Sequence, residues 1–188
     1  MIVYDFDPNG IPDDYLRAIG RVMLCAAQAE DSVRTAIGVF LKIDNIETLA
    51  LTNQLSGPLK DKILRAAAEL NAASASMVDT LDDILDDINE AMVSRNAYAH
   101  RSLCRHPDTG EVLIWKEKVS GSIELELQAI TLAEINAVGD KLLEASHRLT
   151  IFLQLCGGPK NREIALRDPL KRTKAARNER RSAHGDHY

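Results

Sequence analysis

Apolar positions recur from the first turn of the chain with a three-four rhythm, at Ile19, Val22, Met23, Ala26, Val33, Ile37, Phe40 and Leu41. That period predicts one long amphipathic helix over residues 12–43, with Pro12 and Asp13 suited to its first turn. Asp44-Asn45 breaks the pattern and can cap a short helix to about residue 53. Ser56-Gly57-Pro58 reads as an N-cap with proline in the first turn, opening a helix to about residue 70. Residues 71–76 form a small polar linker. A fourth helix is expected from about Ser76 to Leu103, with Ser76 and Asp79 spaced as a capping box.

The period then changes. "HPDTGEV" reads as a turn punctuated by Pro107 and Gly110. "EVLIWKEKV" and "SIELELQAI" alternate apolar and polar positions around Ser120-Gly121, which predicts a hairpin, with residues 102–106 as a possible third strand. Thr131 and Glu134 form a second capping box. They open a last helix that carries Leu132, Ile135, Val138, Leu142, Leu149, Phe152 and Leu153, and Gly157-Gly158-Pro159 stops it. The expected fold class is mainly α. It is an up-and-down helical bundle with a small antiparallel hairpin or meander, about residues 102–130, inserted before the last helix. Residues 1–158 make the helical domain, and residues 159–188 a basic tail expected to be disordered.

Composition narrows this picture. Apolar residues are 45% of the 188 and aromatics only 4%, which favours packed helices over a β-sandwich. No run of 18 apolar residues exists, so no membrane span is expected. The opening MIVYDFDPNG is not expected to be a signal peptide, since it lacks a basic stretch followed by an apolar core. Cys25, Cys104 and Cys156 are widely spaced and odd in number, which suits a reduced, cytoplasmic protein without a zinc knuckle. The net charge of −5 divides unevenly: residues 160–188 carry nine Lys/Arg against four Asp/Glu, and the rest 14 against 24. Affinity for nucleic acid must therefore be local.

Two charges interrupt apolar stripes. On a helical wheel with Arg95 at zero, Leu81, Ile84, Ile88, Ala91 and Met92 all lie within ~60° of it. Asn96 (~100°) and His100 (~140°) fall on one side and Tyr98 (~−60°) on the other. Asp79, Asp82, Asp83, Asp86, Asp87 and Glu90 cover the opposite arc, expected to be a solvated face rather than a metal cluster. On the first helix, with Ile19 at zero, Ala26, Val33 and Ile37 lie within ~40° and Glu30 at ~20°. An unpaired carboxylate there would be costly to bury. The expectation is that Glu30 accepts hydrogen bonds from Arg95 and orients it, leaving His100 near a surface. Such a pair could equally serve helix register alone.

Arg95-Asn96-Ala97-Tyr98-Ala99-His100, an R-N-x-x-x-H motif late in a helical bundle, resembles the HEPN superfamily (higher eukaryotes and prokaryotes nucleotide-binding). With Glu30 on the first long helix, the resemblance spans roughly residues 12–155. It implies a metal-independent endoribonuclease of toxin or antiviral type, with a composite active site where two protomers meet, leaving 2′,3′-cyclic phosphate ends. Arg95 and His100 would be catalytic, Asn96 would orient the histidine or bind phosphate, and Glu30 would orient Arg95. No cofactor or metal is implied. Some toxin members carry a tyrosine two residues after the histidine, which an antitoxin modifies. Here that position is Ser102, although Tyr98 lies near as a secondary site. An antitoxin or another protein partner is therefore an open expectation, as is a non-catalytic module that binds RNA, a nucleotide or a partner protein.

The chain has no G-x-x-x-x-G-K-[ST] loop for a nucleotide triphosphate. Trp115 is expected to pack rather than stack on a base. His106, His147, His184 and His187 lack metal-ligand spacing with partners. In the tail, Lys171, Arg172, Lys174, Arg177, Arg180 and Arg181 could gather RNA phosphates by counterion release. They could equally solubilise the protein or dock on its own acidic face.

Overall fold

The structure is a computed structural model and describes residues 6–71, 74–119 and 123–156. After a short 3-10 turn, Pro8–Gly10, come four helices: α1 (Asp13–Leu41), α2 (Asn45–Thr52), α3 (Gly57–Asn71) and α4 (Ala75–His100). Three strands follow, β1 (Leu103–Arg105), β2 (Val112–Val119) and β3 (Ile123–Ala129), and then α5 (Leu132–Cys156). The chain is mainly helical, with a three-stranded antiparallel sheet inserted before the last helix. No described helix is long and apolar enough to cross a membrane.

The core follows the predicted stripes. α1 buries Val22, Ala26, Ala29, Val33, Ala36 and Ile37. Its many alanines let α5 approach closely with Ile135, Leu142, Leu149 and Phe152, and α4 adds Leu81, Ile84, Leu85 and Ile88. Each fully buried Leu or Ile contributes roughly 1.5–3 kcal/mol relative to exposure. The sheet runs β1-β2-β3 and lends Val112 and Ile114 to the same core. Trp115 lies on its other face and meets Phe6 edge-on, with ring centroids 5.7 Å apart. It packs, as its place in an alternating strand suggests.

α2 seats on α1 through small residues. Thr48 and Thr52 are buried, and their hydroxyls donate to carbonyls one turn back, Asp44 O at 2.6 Å and Thr48 O at 2.7 Å. Gly38 of α1 lies directly beneath Thr48, so a β-carbon there would collide with the Thr48 hydroxyl. The predicted caps at Asp44 and Thr131 form. Asp44 closes a capping box with Glu47, and Glu134 accepts from the Thr131 N–H at 2.7 Å while Thr131 Oγ1 accepts from the Glu134 N–H at 3.1 Å.

Two boundaries of α4 differ from expectation. Its N-cap is Ser74, whose hydroxyl accepts from the Met77 N–H, so the Ser76–Asp79 box is not the start. The helix ends at His100 rather than 103, because Arg101 is already extended and the Ser102 carbonyl accepts from Trp115 N–H of β2 at 2.9 Å. Sheet pairing captures the chain before the helical rhythm ends.

The acidic arc of α4 is not a plain solvated face. Arg65 of α3 reaches Asp61, Asp82 and Asp86 at 3.0, 2.7 and 2.6 Å. Arg148 and Lys141 of α5 reach Asp87 at 2.6 and 3.2 Å, and Lys141 also reaches Glu90 at 2.7 Å. Much of the arc is thus a seam joining α4 to both neighbours.

Candidate functional site

α4 carries Arg95, Asn96, Tyr98 and His100 in its last two turns. Arg95 lies on the stripe of Leu81, Ile84 and Ile88, yet it is only half-buried. Its Nε stays buried while Nη1 turns to the adjacent residue, so the guanidinium straddles the boundary of the core. Nη1 donates to Asn96 Oδ1 at 2.9 Å. Nε is buried and has no hydrogen-bond partner. The guanidinium therefore makes a single hydrogen bond among the described residues, and its buried N–H carries a desolvation cost of about 1–3 kcal/mol.

The expected pairing of Arg95 with Glu30 is not formed. The Arg95 head turns along its own helix to the adjacent residue, and Glu30 instead lines a separate cavity with Asn96. Asn96 is the common member: its carbonyl oxygen holds the arginine and its side chain borders the cavity. Sequence spacing placed both charges on inward stripes, but an arginine stem spans enough distance to leave the stripe, and the wheel does not show which way it leaves.

His100 is the last residue of α4 and is exposed. Among the described residues its imidazole makes no hydrogen bond. Five residues beyond Arg95, it sits ~7.5 Å further along the axis and ~140° around it. Within one chain the two side chains diverge.

Tyr98 borders a cavity of about 1020 Å³ between α4, the sheet and the start of α5, together with Arg101, Lys116, Glu126 and Glu134. Burial pushes the Tyr98 phenol pKa up, and the negative charge of Glu134 adds to this. Tyr98 thus stays protonated at neutral pH and can donate a hydrogen bond, but it is a poor base. The Thr131 backbone and side-chain hydrogen bonds lower the Glu134 pKa, so its charge is fixed in the cap.

No protein-family model, curated protein or solved structure matches the chain. Among the described residues no group of three or more His, Cys, Asp and Glu side chains is placed to hold a metal. The carboxylates of Asp61, Asp82 and Asp86 gather around the Arg65 guanidinium, which occupies the space between them. His106 Nδ1 accepts from the Asp108 and Thr109 N–H groups and shapes the turn before β2. Lys171, Arg172, Lys174, Arg177, Arg180, Arg181, His184 and His187 lie outside the described residues.

Sequence reading missed two features. One is the Arg65 network, whose only trace is Asp61 four residues before Arg65. The other is the cavity bordered by Glu30, assembled from three helices that no local pattern brings together.

Proposed function

We propose that the chain is a metal-independent endoribonuclease of HEPN type, with Arg95 as the phosphate ligand and His100 as the proton-transfer group of a site shared by two copies. The observation that carries this reading is the state of Arg95. Its guanidinium is half-buried, fixed by Asn96 on one side, and has a buried N–H with no acceptor. Among the described residues Nη2 is neither hydrogen-bonded nor among the buried atoms, so it is the donor that a phosphodiester oxygen can reach, and a charge-assisted bond to it is roughly twice as strong as a neutral one.

The chemistry needs no metal. The ribose 2′-OH attacks the adjacent phosphorus, a base takes its proton, and the 5′-oxygen of the next nucleotide leaves as it is protonated. The product is a 2′,3′-cyclic phosphate and a free 5′-OH. Negative charge grows on the non-bridging oxygens, where a positioned guanidinium stabilises it. An imidazole transfers protons well near neutral pH. Because Arg95 and His100 diverge on one helix, a phosphate would meet Arg95 of one copy and His100 of a second. This divergence supports a homodimer as the working unit. Lys171, Arg172, Lys174, Arg177, Arg180 and Arg181 would gather the RNA backbone, in a protein working in the cytoplasm under the control of an antitoxin or similar partner.

A second reading, a non-catalytic module that binds RNA, a nucleotide or a protein partner, is favoured by His100 having no hydrogen-bonded neighbour to orient it. One assay separates the two. Single-stranded RNA is incubated with the protein in EDTA, comparing wild type with Arg95→Ala and His100→Ala. Cleavage by wild type and loss of at least ~100-fold in both variants, in the range of general acid–base contributions, supports the ribonuclease. RNA binding without cleavage supports the module.

A further inference from the structure

Between α1, the first turns of α3, and α4 lies a cavity of about 460 Å³. Val33, Leu85 and Ile88, all buried, form its apolar base, and Met92 borders it. Its polar groups are Glu30, Asp61, Asn89 and Asn96, with Lys60 and Lys62 alongside, and the Asp61 carboxylate is already engaged by Arg65 and Asn89. An apolar recess with a few convergent polar groups is the usual form of a small-molecule site, and this volume lies within the usual range.

The hydrogen-bonding state of those groups defines what would fit. Glu30 is half-buried, and among the described residues its carboxylate has neither a hydrogen bond nor an ion pair. Asn89 spends an amide N–H on Asp61 Oδ1 at 3.2 Å, and its carbonyl oxygen remains available. Asn96 uses its carbonyl oxygen on Arg95, and its amide N–H groups remain available. The cavity thus offers two adjacent carboxylate acceptors and, from another wall, an amide donor.

We propose that this cavity is a base-recognition pocket for guanine, placed beside the Arg95 phosphate site. This rests on the reading of the chain as an RNA-processing module. Guanine presents N1–H and N2–H as parallel donors, which match a carboxylate, and next to them the O6 acceptor, which matches the Asn96 amide. Adenine and cytosine bring one amino donor flanked by a ring acceptor. Uracil flanks its ring N–H with two carbonyls, which face a carboxylate unfavourably. The flat ring packs against the apolar base, and Lys60 and Lys62 suit the attached phosphates. Asn96 joins the two sites, since one end of its amide holds the phosphate-binding arginine and the other holds the base.

The test is equilibrium binding of GMP, AMP, CMP and UMP to the full chain, read by calorimetry. GMP binds tightest, and Glu30→Gln, with an unchanged circular dichroism spectrum, weakens it at least tenfold while leaving UMP affected less. Val93→Trp provides a second probe. Val93 is 71% exposed and borders the cavity, so a bulky ring can cover the opening without entering the core and should abolish GMP binding. Equal affinity for all four nucleotides, or GMP binding unchanged in both variants, overturns the pocket. So does binding of an arginine-rich peptide but of no nucleotide, which would assign Glu30 to a protein partner. The outcomes also separate the two proposals. Glu30-dependent GMP binding without RNA cleavage keeps the pocket and overturns the nuclease. Cleavage without preference for guanine, and without GMP binding, does the reverse.

Discussion

Replacing Arg65 with alanine tests how α3 and α4 are held together. The Arg65 side chain is 16% exposed, and two of its partners, Asp61 and Asp82, are 18% and 21% exposed. Burial alone would lower the guanidinium pKa, but Asp61, Asp82 and Asp86 outweigh it and hold it raised. Removing one partner of a buried pair costs about 3–5 kcal/mol, because the other charge is left uncompensated. Here the sites are about four-fifths rather than fully buried, and Asn89 still donates to Asp61 at 3.2 Å, so some relief remains. Asp86 is 72% exposed and adds little. The net expectation is a loss of about 2–4 kcal/mol, a large share of the ~5–15 kcal/mol typical of a domain. Urea denaturation at pH 7 reads it directly. With a slope near ~2 kcal/mol/M the midpoint falls by about 1–2 M. Arg65→Lys should lose less, since one compact charge remains. Acidification should recover part of the Arg65→Ala deficit, because it neutralises the carboxylates left facing one another. A loss under ~0.5 kcal/mol would refute the reasoning and reduce the network to a surface ornament of the kind exposed ion pairs usually are.

Gly38→Ala should cost about 1–2 kcal/mol in the same denaturation assay, since overpacking against Thr48 outweighs the helix propensity gained. The double variant with Thr48→Ala should be more stable than Gly38→Ala alone, and its failure to recover would locate the strain elsewhere. Asp87 is raised by burial but lowered more by hydrogen bonds from Arg148 and Lys141, so its net pKa in the fold is lowered. A lowered folded pKa gives stability that is present above the unfolded value, ~3.9, and is lost as pH falls through the folded one. Wild type should therefore lose stability below about pH 4, and Asp87→Asn should show a flatter decline there in acid titrations followed by circular dichroism. Deleting residues 160–188 should weaken RNA binding and reduce its salt slope, by ~0.7 for each lost phosphate contact to a single strand. An unchanged slope removes the tail from RNA contact.

Much of the fold was legible in the residues. The three-four rhythm of α1 and α5 and the alternation of β2 and β3 are local, and burial follows them. The boxes at Asp44 and Thr131 work through side chains three residues apart, so sequence carries them fully. The site was legible only in part. That Arg95 interrupts an apolar stripe is a matter of spacing. Where its head goes is decided by a flexible stem choosing between Asn96, next in sequence, and Glu30, sixty-five residues away. The end of α4 was misplaced for a related reason. Residues 101–103 continue a helical pattern, but β2 competes for their backbone. The α4 seam with Arg65, Lys141 and Arg148 depends on the neighbouring helices facing that arc, which a single-helix wheel does not contain.

The measurement that bears most directly on the central claim mixes two inactive proteins. Arg95→Ala and His100→Ala are each inactive on RNA in EDTA under the account given above. After subunit exchange, half the dimers are mixed, and half their sites regain an arginine from one copy and a histidine from the other. The account predicts recovery to about one quarter of wild-type cleavage, with 2′,3′-cyclic phosphate ends. No recovery from a mixture shown to contain mixed dimers, or full activity in either variant alone, would contradict it.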